Sequence, residues 1–248
     1  MSDTSWLTAH PVAHRGLHNK ANGIIENTLS AVSAAVKGGF AIEVDLQLAG
    51  DGEAMVFHDF TLERLTTGAG PVLGADAKTL QSIPFRDTQD RMPRLSDLLD
   101  TVGGKSAIFL EVKSNFDGAP LLLKRMASVL TGYSGPIAIM SFDPKVVDIA
   151  RDLIPDRPRG IVAEIFGNDP HWDALTGVEK VQNTHLMHAW RTRPDFVAFN
   201  VKHLPSFAAM SWKALTGAPT LTWTVRTPED RARSTRWSDQ MIFEGFVP

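Results

Sequence analysis

The chain has 248 residues, of which 43% are hydrophobic and 21% charged. One large domain of that size can bury its own core without a covalent staple. There is no cysteine, which excludes disulfides, thiolate nucleophiles, Cys-ligated zinc and iron–sulfur clusters. The 25 basic and 28 acidic residues leave a net charge of −3 and form no basic tract, so no nucleic-acid partner is expected. No apolar run approaches about 18 residues, so no membrane insertion is expected. Residues 1–10 lack a charged n-region followed by an apolar stretch, so no signal peptide is expected. These readings describe a cytoplasmic globular protein and leave its oligomeric state open.

Short β-rich runs alternate with helical stretches along the chain. Strands are expected at 12–16, 41–48, 54–59, 107–113, 137–142, 160–164, 196–201, 221–225 and 240–244. The segment 28–37 carries Leu29, Val32 and Val36 at helical spacing and is stopped by Gly38-Gly39. Pro120 opens a helix to about 130. Asp143-Pro144 reads as cap and first residue of another, with Val147, Ala150 and Leu153 on one face. Pro205 opens 206–215, and Thr227-Pro228 opens a helix with Glu229 and Asp230 in its first turn, where the helix dipole favours acids. The stretch 68–71 reads as a surface loop.

This rhythm predicts a parallel sheet covered by helices, in one domain spanning 1–248. Nine strands are one too many for a (β/α)8 TIM barrel. The link from Leu48 to Ala54 contains Gly50-Asp51-Gly52 and has no room for a crossover helix. Residues 54–59 are therefore expected to return antiparallel to 41–48, as a small hairpin near the top of the barrel. His58 then lies level with Glu43 and Asp45.

Within 41–48, Glu43 and Asp45 alternate with Ile42, Val44 and Leu46. Within 107–113, Glu111 and Lys113 alternate with Leu110 and Val112. Either strand alone reads as ordinary solvated alternation. In strands covered by helices, the polar set is expected to point into the barrel near the C-terminal strand ends, where such barrels keep their active sites. Three carboxylates facing one interior repel one another and need a cation or a proton. Oxygen-only donors favour one hard divalent cation, Mg²⁺ or Ca²⁺. His14 and His58 each stand at a strand end, and histidine's unperturbed pKa, near neutrality, suits a pair of them to acid/base work. The planar fork of Arg15 suits phosphate oxygens, or else pairs with a site acid.

The set His14-Arg15-Gly16, Glu26-Asn27-Thr28, Glu43-x-Asp45, His58-Asp59 and Glu111-x-Lys113 resembles the glycerophosphodiester phosphodiesterase family. The resemblance is specific over about 12–115, and looser through Ser141-Phe142 and Trp223-Thr224-Val225. It implies a PLC-like phosphodiesterase barrel that hydrolyses glycerophosphodiesters to sn-glycerol 3-phosphate and an alcohol. By the same resemblance, Glu43, Asp45 and Glu111 bind the metal, and His14 and His58 are the catalytic acid/base pair. Arg15 and Lys113 contact phosphate, Glu26 and Asn27 support the site, and Trp223 lines the alcohol pocket. Helix capping is an equal reading for Glu26 and Asn27, and core packing a competing one for Trp223.

The chain departs from the family pattern at Ile25, where proline is usual, at Arg226, where asparagine is usual, and at Phe243–Phe246. These departures bear on substrate range. Arg226 either selects an anionic leaving group or is a solvated arginine at a helix start. His185 and His188 are expected three apart on a helix, in a surface or packing role. Competing classes are a related two-histidine barrel phosphodiesterase acting on a lysophospholipid or phosphoinositide, and a non-catalytic barrel that binds a phosphometabolite. A binding-only barrel would leave both histidines and all three acids spare.

Overall fold

The computed structural model describes residues 4–248. Its first half runs β1 (Val12–Ala13), α1 (Leu29–Gly38), β2 (Ala41–Leu48), β3 (Ala54–Val56), α2 (Ala77–Ser82), α3 (Leu95–Val102), β4 (Ile108–Val112) and α4 (Pro120–Leu130). The second half runs β5 (Ile137–Ser141), α5 (Pro144–Leu153), β6 (Arg159–Ala163), α6 (Gly177–Thr184), α7 (Ala189–Thr192), β7 (Phe196–Asn200), α8 (Phe207–Thr216), β8 (Thr220–Val225), α9 (Pro228–Trp237) and β9 (Gln240–Phe243). The strands bond in the order β1-β9-β8-β7-β6-β5-β4-β2-β3, and β1 also pairs with β2. The order returns on itself, so eight parallel strands close a (β/α)8 barrel and β3 bonds outside it. Among the described residues no helix is long and apolar enough to cross a membrane.

The expected hairpin is present. Leu46 pairs with Val56 and Leu48 with Ala54, antiparallel. The strand is shorter than the predicted 54–59, because after Val56 the chain bonds once more, Phe57 N–H to Asp45 C=O at 3.0 Å, and then leaves. The predicted strand 12–16 is also cut short. It ends at Ala13 because Arg15 (φ 56°) and Gly16 (φ 80°) take left-handed conformations. Helices α2 and α3 were not anticipated. α2 has only six residues, and α3 is capped by Arg94, which carries no side-chain capping signal.

By internal contacts the chain divides into two compact units. One comprises Ala13–Lys113 with Pro120–Ile137, and the other the stretch ending at Val12 with Ser114–Ala119 and Ala138–Pro248. In the first unit β2 is buried along nearly its whole length, so Glu43 and Asp45 sit among core residues such as Ile42, Val44 and Leu46. A separate apolar cluster of Ile25, Met55, Phe57, Leu62, Leu80, Phe85 and Met92 anchors the long excursion between β3 and α3. In the second unit Val147, Ile161, Phe166, Trp172, Phe199 and Trp212 share one core.

α1 begins where the hydroxyl of Thr28 accepts from Ala31 N–H, and it stops at Gly39, which is left-handed at φ 73°. Its Ala31 packs against the turn at Gly16. A Cβ on Gly16 would lie 2.8 Å from the carbonyl carbon of Ala31. Gly16→Ala therefore combines a left-handed backbone with a backbone clash and should cost about 1–3 kcal/mol in urea unfolding. A loss below about 0.5 kcal/mol would contradict this packing.

Candidate metal and phosphodiester site

Parallel pairing of β2 with β4 sets Asp45 beside Glu111, and the two-residue repeat puts Glu43 on the same face as Asp45. Glu43 and Asp45 are each 1% exposed and Glu111 8%. One carboxylate oxygen from each lies within 4.8 Å of the others. Glu43 Oε1 is buried with no hydrogen-bond partner. Lys113, at the end of the same run as Glu111, donates to Glu111 Oε1 at 2.6 Å and lies 2.9 Å from Asp45 Oδ1.

Burial, with the charges of Asp45 and Glu111, pushes the Glu43 carboxyl well above the usual range. Burial alone would raise Asp45 too, but Lys113, Arg15 and His58 outweigh it and hold Asp45 low. Burial alone would lower Lys113, yet Asp45 and Glu111 raise it, so its ammonium stays charged. The neighbouring acids are thus driven apart. The linked network contains five carboxylates (Glu26, Glu43, Asp45, Asp59, Glu111) and three fixed cations (Arg15, Arg64, Lys113). With all five ionised, the carboxylates exceed the cations by two charges, the charge of one divalent ion. The donor set is all oxygen, with one buried oxygen unsatisfied, and it could hold a hard cation.

The turn after β1 delivers the next groups. Arg15 N–H donates to Glu43 Oε2 at 2.9 Å, and His14 Nε2 lies 3.8 Å from the same oxygen. The left-handed turn thus aims a backbone donor at the buried Glu43 carboxylate, a geometry that the predicted strand 12–16 could not have produced. Arg15 Nη1 donates to Glu26 Oε1 at 2.6 Å, and its Nε lies 3.4 Å from Asp45 Oδ2. Asn27 grips Asp45 twice. Its amide donates to Oδ2 at 2.8 Å and its carbonyl accepts from the Asp45 N–H at 3.1 Å. The side chains of Glu26 and Asn27 thus bond Arg15 and Asp45, and the helix cap is Thr28.

His58 lies two residues past β3. Gln47 Nε2 holds its carbonyl at 3.0 Å. Its Nδ1 lies 2.7 Å from Asp59 Oδ1. Burial would raise Asp59, but the bonds from His58 and Arg64 keep it below the usual range, hence ionised and acceptor-only. The ring must then donate from Nδ1, so a neutral His58 carries its lone pair on Nε2. Arg64, which the sequence reading did not single out, forks onto both Asp59 (2.6 and 3.1 Å) and Glu26 (2.7 and 3.0 Å). Neither Arg64 nor Gln47 stood out, since neither belongs to a short motif with a chemical signature.

Trp223 lies in the other unit. Its indole donates to the Ala198 carbonyl at 3.0 Å, and its ring packs edge-on against Phe142 at 5.3 Å. Phe142 also meets Phe166 and Trp172. Arg226 is paired with Glu244 at 2.9 Å. His185 and His188 do not share a helix. They cap α6 and α7 on either side of Leu186, which is left-handed at φ 52°. His188 bonds Thr192, and burial with nearby Arg191 pushes it down to about 4, so it is neutral.

Glu26 and Asp59 both titrate below their ordinary values because Arg64 and Arg15 or His58 oppose the effect of burial. Their folded pKa is depressed, so their stabilisation is full above about pH 5 and is lost as pH falls toward 2. Unfolding free energy measured from pH 6 to pH 3 should fall less steeply in a Glu26→Gln, Asp59→Asn double variant than in wild type. An unchanged slope would contradict the assignment.

A profile of the glycerophosphoryl diester phosphodiesterase family matches residues 14–247. The chain is 26% identical over 232 residues to a glycerophosphodiester phosphodiesterase of Caldanaerobacter subterraneus, covering 90% of this chain and 88% of that protein. It is 28% identical over 218 residues to the Bacillus subtilis glycerophosphodiester phosphodiesterase, covering 78% and 70%. Its fold is similar to an Oleispira antarctica phosphodiesterase solved with the product sn-glycerol-3-phosphate (TM-score 0.78, 19% identity, 96% and 93% covered). It is also similar to the Thermotoga maritima glycerophosphodiester phosphodiesterase (TM-score 0.69, 20% identity, 94% of each chain). The chain belongs to the glycerophosphoryl diester phosphodiesterase family and is a phosphoric diester hydrolase.

Proposed function

We propose that the protein hydrolyses small glycerophosphodiesters to sn-glycerol 3-phosphate and an alcohol, using one divalent ion and the pair His14 and His58. The observation that carries this reading is the joint placement of a buried carboxylate triad, Glu43, Asp45 and Glu111, and a histidine whose Nδ1 lies 2.7 Å from Asp59 Oδ1. Glu43, Asp45 and Glu111 are the residues that would hold the ion, and Mg²⁺ and Ca²⁺ are the ions suited to their oxygens. When bound, such an ion supplies Lewis-acid polarisation of a phosphoryl oxygen and orients the glycerol end.

The protein's own residues supply the rest. Arg15 and Lys113 offer cationic donors to the phosphate oxygens and stabilise the charge that builds in the transition state. One histidine takes a proton from the attacking hydroxyl, which belongs to water or to the substrate's own 2-hydroxyl. The other gives a proton to the alcohol oxygen as its bond to phosphorus breaks. With water as nucleophile, its oxygen joins phosphorus while one of its protons passes to the base and the other stays on the phosphate product. The acid's proton leaves with the alcohol, and the proton on the base restores the acid through solvent. With the 2-hydroxyl as nucleophile a cyclic phosphate forms first, and water then opens it by the same exchange of roles. Asn27 keeps Asp45 oriented, and Glu26 keeps Arg15 in place.

The test is release of glycerol 3-phosphate from a panel of glycerophosphodiesters by metal-stripped protein with Mg²⁺, Ca²⁺ or Zn²⁺ restored. Activity should return with Mg²⁺ or Ca²⁺. It should fall about 10²- to 10⁴-fold in His14→Ala and in His58→Ala, each removing one limb of a bell-shaped pH profile. Full activity without metal, or wild-type profiles in both variants, would overturn the reading.

A further inference from the structure

Arg64 stands outside the residues assigned to chemistry, yet it joins the two halves of the site. It sits in the excursion after β3, six residues past His58, with its side chain 46% exposed. Its Nε and Nη2 reach Asp59 Oδ2 and Oδ1, while its Nη1 and Nη2 reach Glu26 Oε2 and Oε1. One planar guanidinium therefore makes two forks, on two carboxylates from different loops. Each carboxylate in turn holds a group at the centre of the site. Asp59 Oδ1 receives His58 Nδ1 at 2.7 Å, and Glu26 Oε1 receives Arg15 Nη1 at 2.6 Å.

We propose that Arg64 is a positioning residue that sets the His58 tautomer and the Arg15 guanidinium together, through Asp59 and Glu26. This rests on the reading of His58 and Arg15 given above. Two physical effects combine. First, Asp59 is a half-buried carboxylate with two rotatable bonds, and the Arg64 fork fixes its plane so that Oδ1 faces Nδ1. Without the fork the Asp59 carboxylate can turn away, and neutral His58 no longer prefers a proton on Nδ1. Second, Glu26 would neutralise Arg15 one to one if the two were alone. Sharing Glu26 with Arg64 leaves part of the Arg15 charge for an incoming phosphate. A lysine at 64 is a point donor that cannot fork both acids.

The experiment uses the full chain with Arg64→Lys and Arg64→Ala, checked by circular dichroism and thermal melting. ¹⁵N-imidazole NMR reads the His58 tautomer, its signals assigned by comparison with His58→Ala. Wild type should show the Nδ1–H form, and both Arg64 variants a mixture. Steady-state kinetics on the best glycerophosphodiester should show kcat lower by roughly 10- to 100-fold in both variants. Binding of sn-glycerol 3-phosphate should weaken as well. In an Asp59→Asn background, Arg64→Ala should leave the tautomer nearly unchanged and lower kcat by a smaller factor than in wild type, while still weakening sn-glycerol 3-phosphate. A merely structural arginine would give additive losses and an unchanged tautomer, and either result overturns the proposal. If wild type releases no glycerol 3-phosphate, the catalytic reading fails on its own, and the tautomer measurement still decides the role of Arg64. Arg64 is a surface side chain, so Arg64→Lys keeps the test open if Arg64→Ala does not fold.

Discussion

The structure is organised around one electrostatic problem. Strands β2 and β4 place Glu43, Asp45 and Glu111 side by side in a buried interior. Buried carboxylates that close repel strongly unless a proton or a cation intervenes. The protein answers in part with its own cations. Lys113 bridges Asp45 and Glu111, and Arg15 approaches Asp45 while its backbone N–H serves Glu43. The remainder falls on Glu43, whose pKa is pushed up and whose Oε1 has no partner. That unresolved charge is what makes the triad a candidate site for a hard divalent ion. The same arrangement holds two cations, Arg15 and Lys113, beside the acids.

Local backbone geometry makes this crowding possible. The left-handed pair Arg15-Gly16 ends β1 early and turns its N–H groups toward Glu43, whose side chain takes the first and whose carbonyl takes the second at 3.1 Å. Gly16 is required because α1 passes against it at Ala31. Asn27, also left-handed at φ 58°, folds back so that its side chain can clasp Asp45. The histidine arm is built differently. It leaves the sheet at Val56 and is held by its own apolar cluster around Phe57, Leu62 and Phe85. His58 is thus carried on a packed excursion rather than on a barrel strand, which explains why its orientation depends so heavily on the polar chain through Asp59 and Arg64.

Much of this was legible in the sequence, for identifiable reasons. The two-residue alternation of acids with Ile42, Val44 and Leu46, in a chain full of crossover helices, left the interior as the better place for Glu43 and Asp45. The short Gly50-Asp51-Gly52 link forced the hairpin, and β2 itself was readable over its whole length. What was not legible depends on three-dimensional closure. The early end of β1 comes from two residues adopting left-handed conformations, and only Gly16 advertises that freedom. Arg64 reaches Glu26 across 38 residues, a pairing that no local pattern reveals. α3 was missed although Leu95, Leu98, Leu99 and Val102 are all buried on one face, because its cap, Arg94, lacks the usual signal. The pairing of His185 and His188 on one helix failed because a single left-handed residue, Leu186, separates α6 from α7.

The measurement that bears most directly on the charge imbalance is thermal and urea unfolding of metal-stripped protein with added Mg²⁺ or Ca²⁺, in wild type and in Asp45→Asn. Removing one of the three buried acids removes both a candidate ligand and one of the two excess negative charges. The account predicts that wild type gains stability with rising ion concentration, by about 2.7 kcal/mol when the ion is a hundredfold above its dissociation constant. The gain should be abolished in Asp45→Asn. A wild-type protein indifferent to both ions, or an Asp45→Asn variant that responds as wild type does, would contradict it.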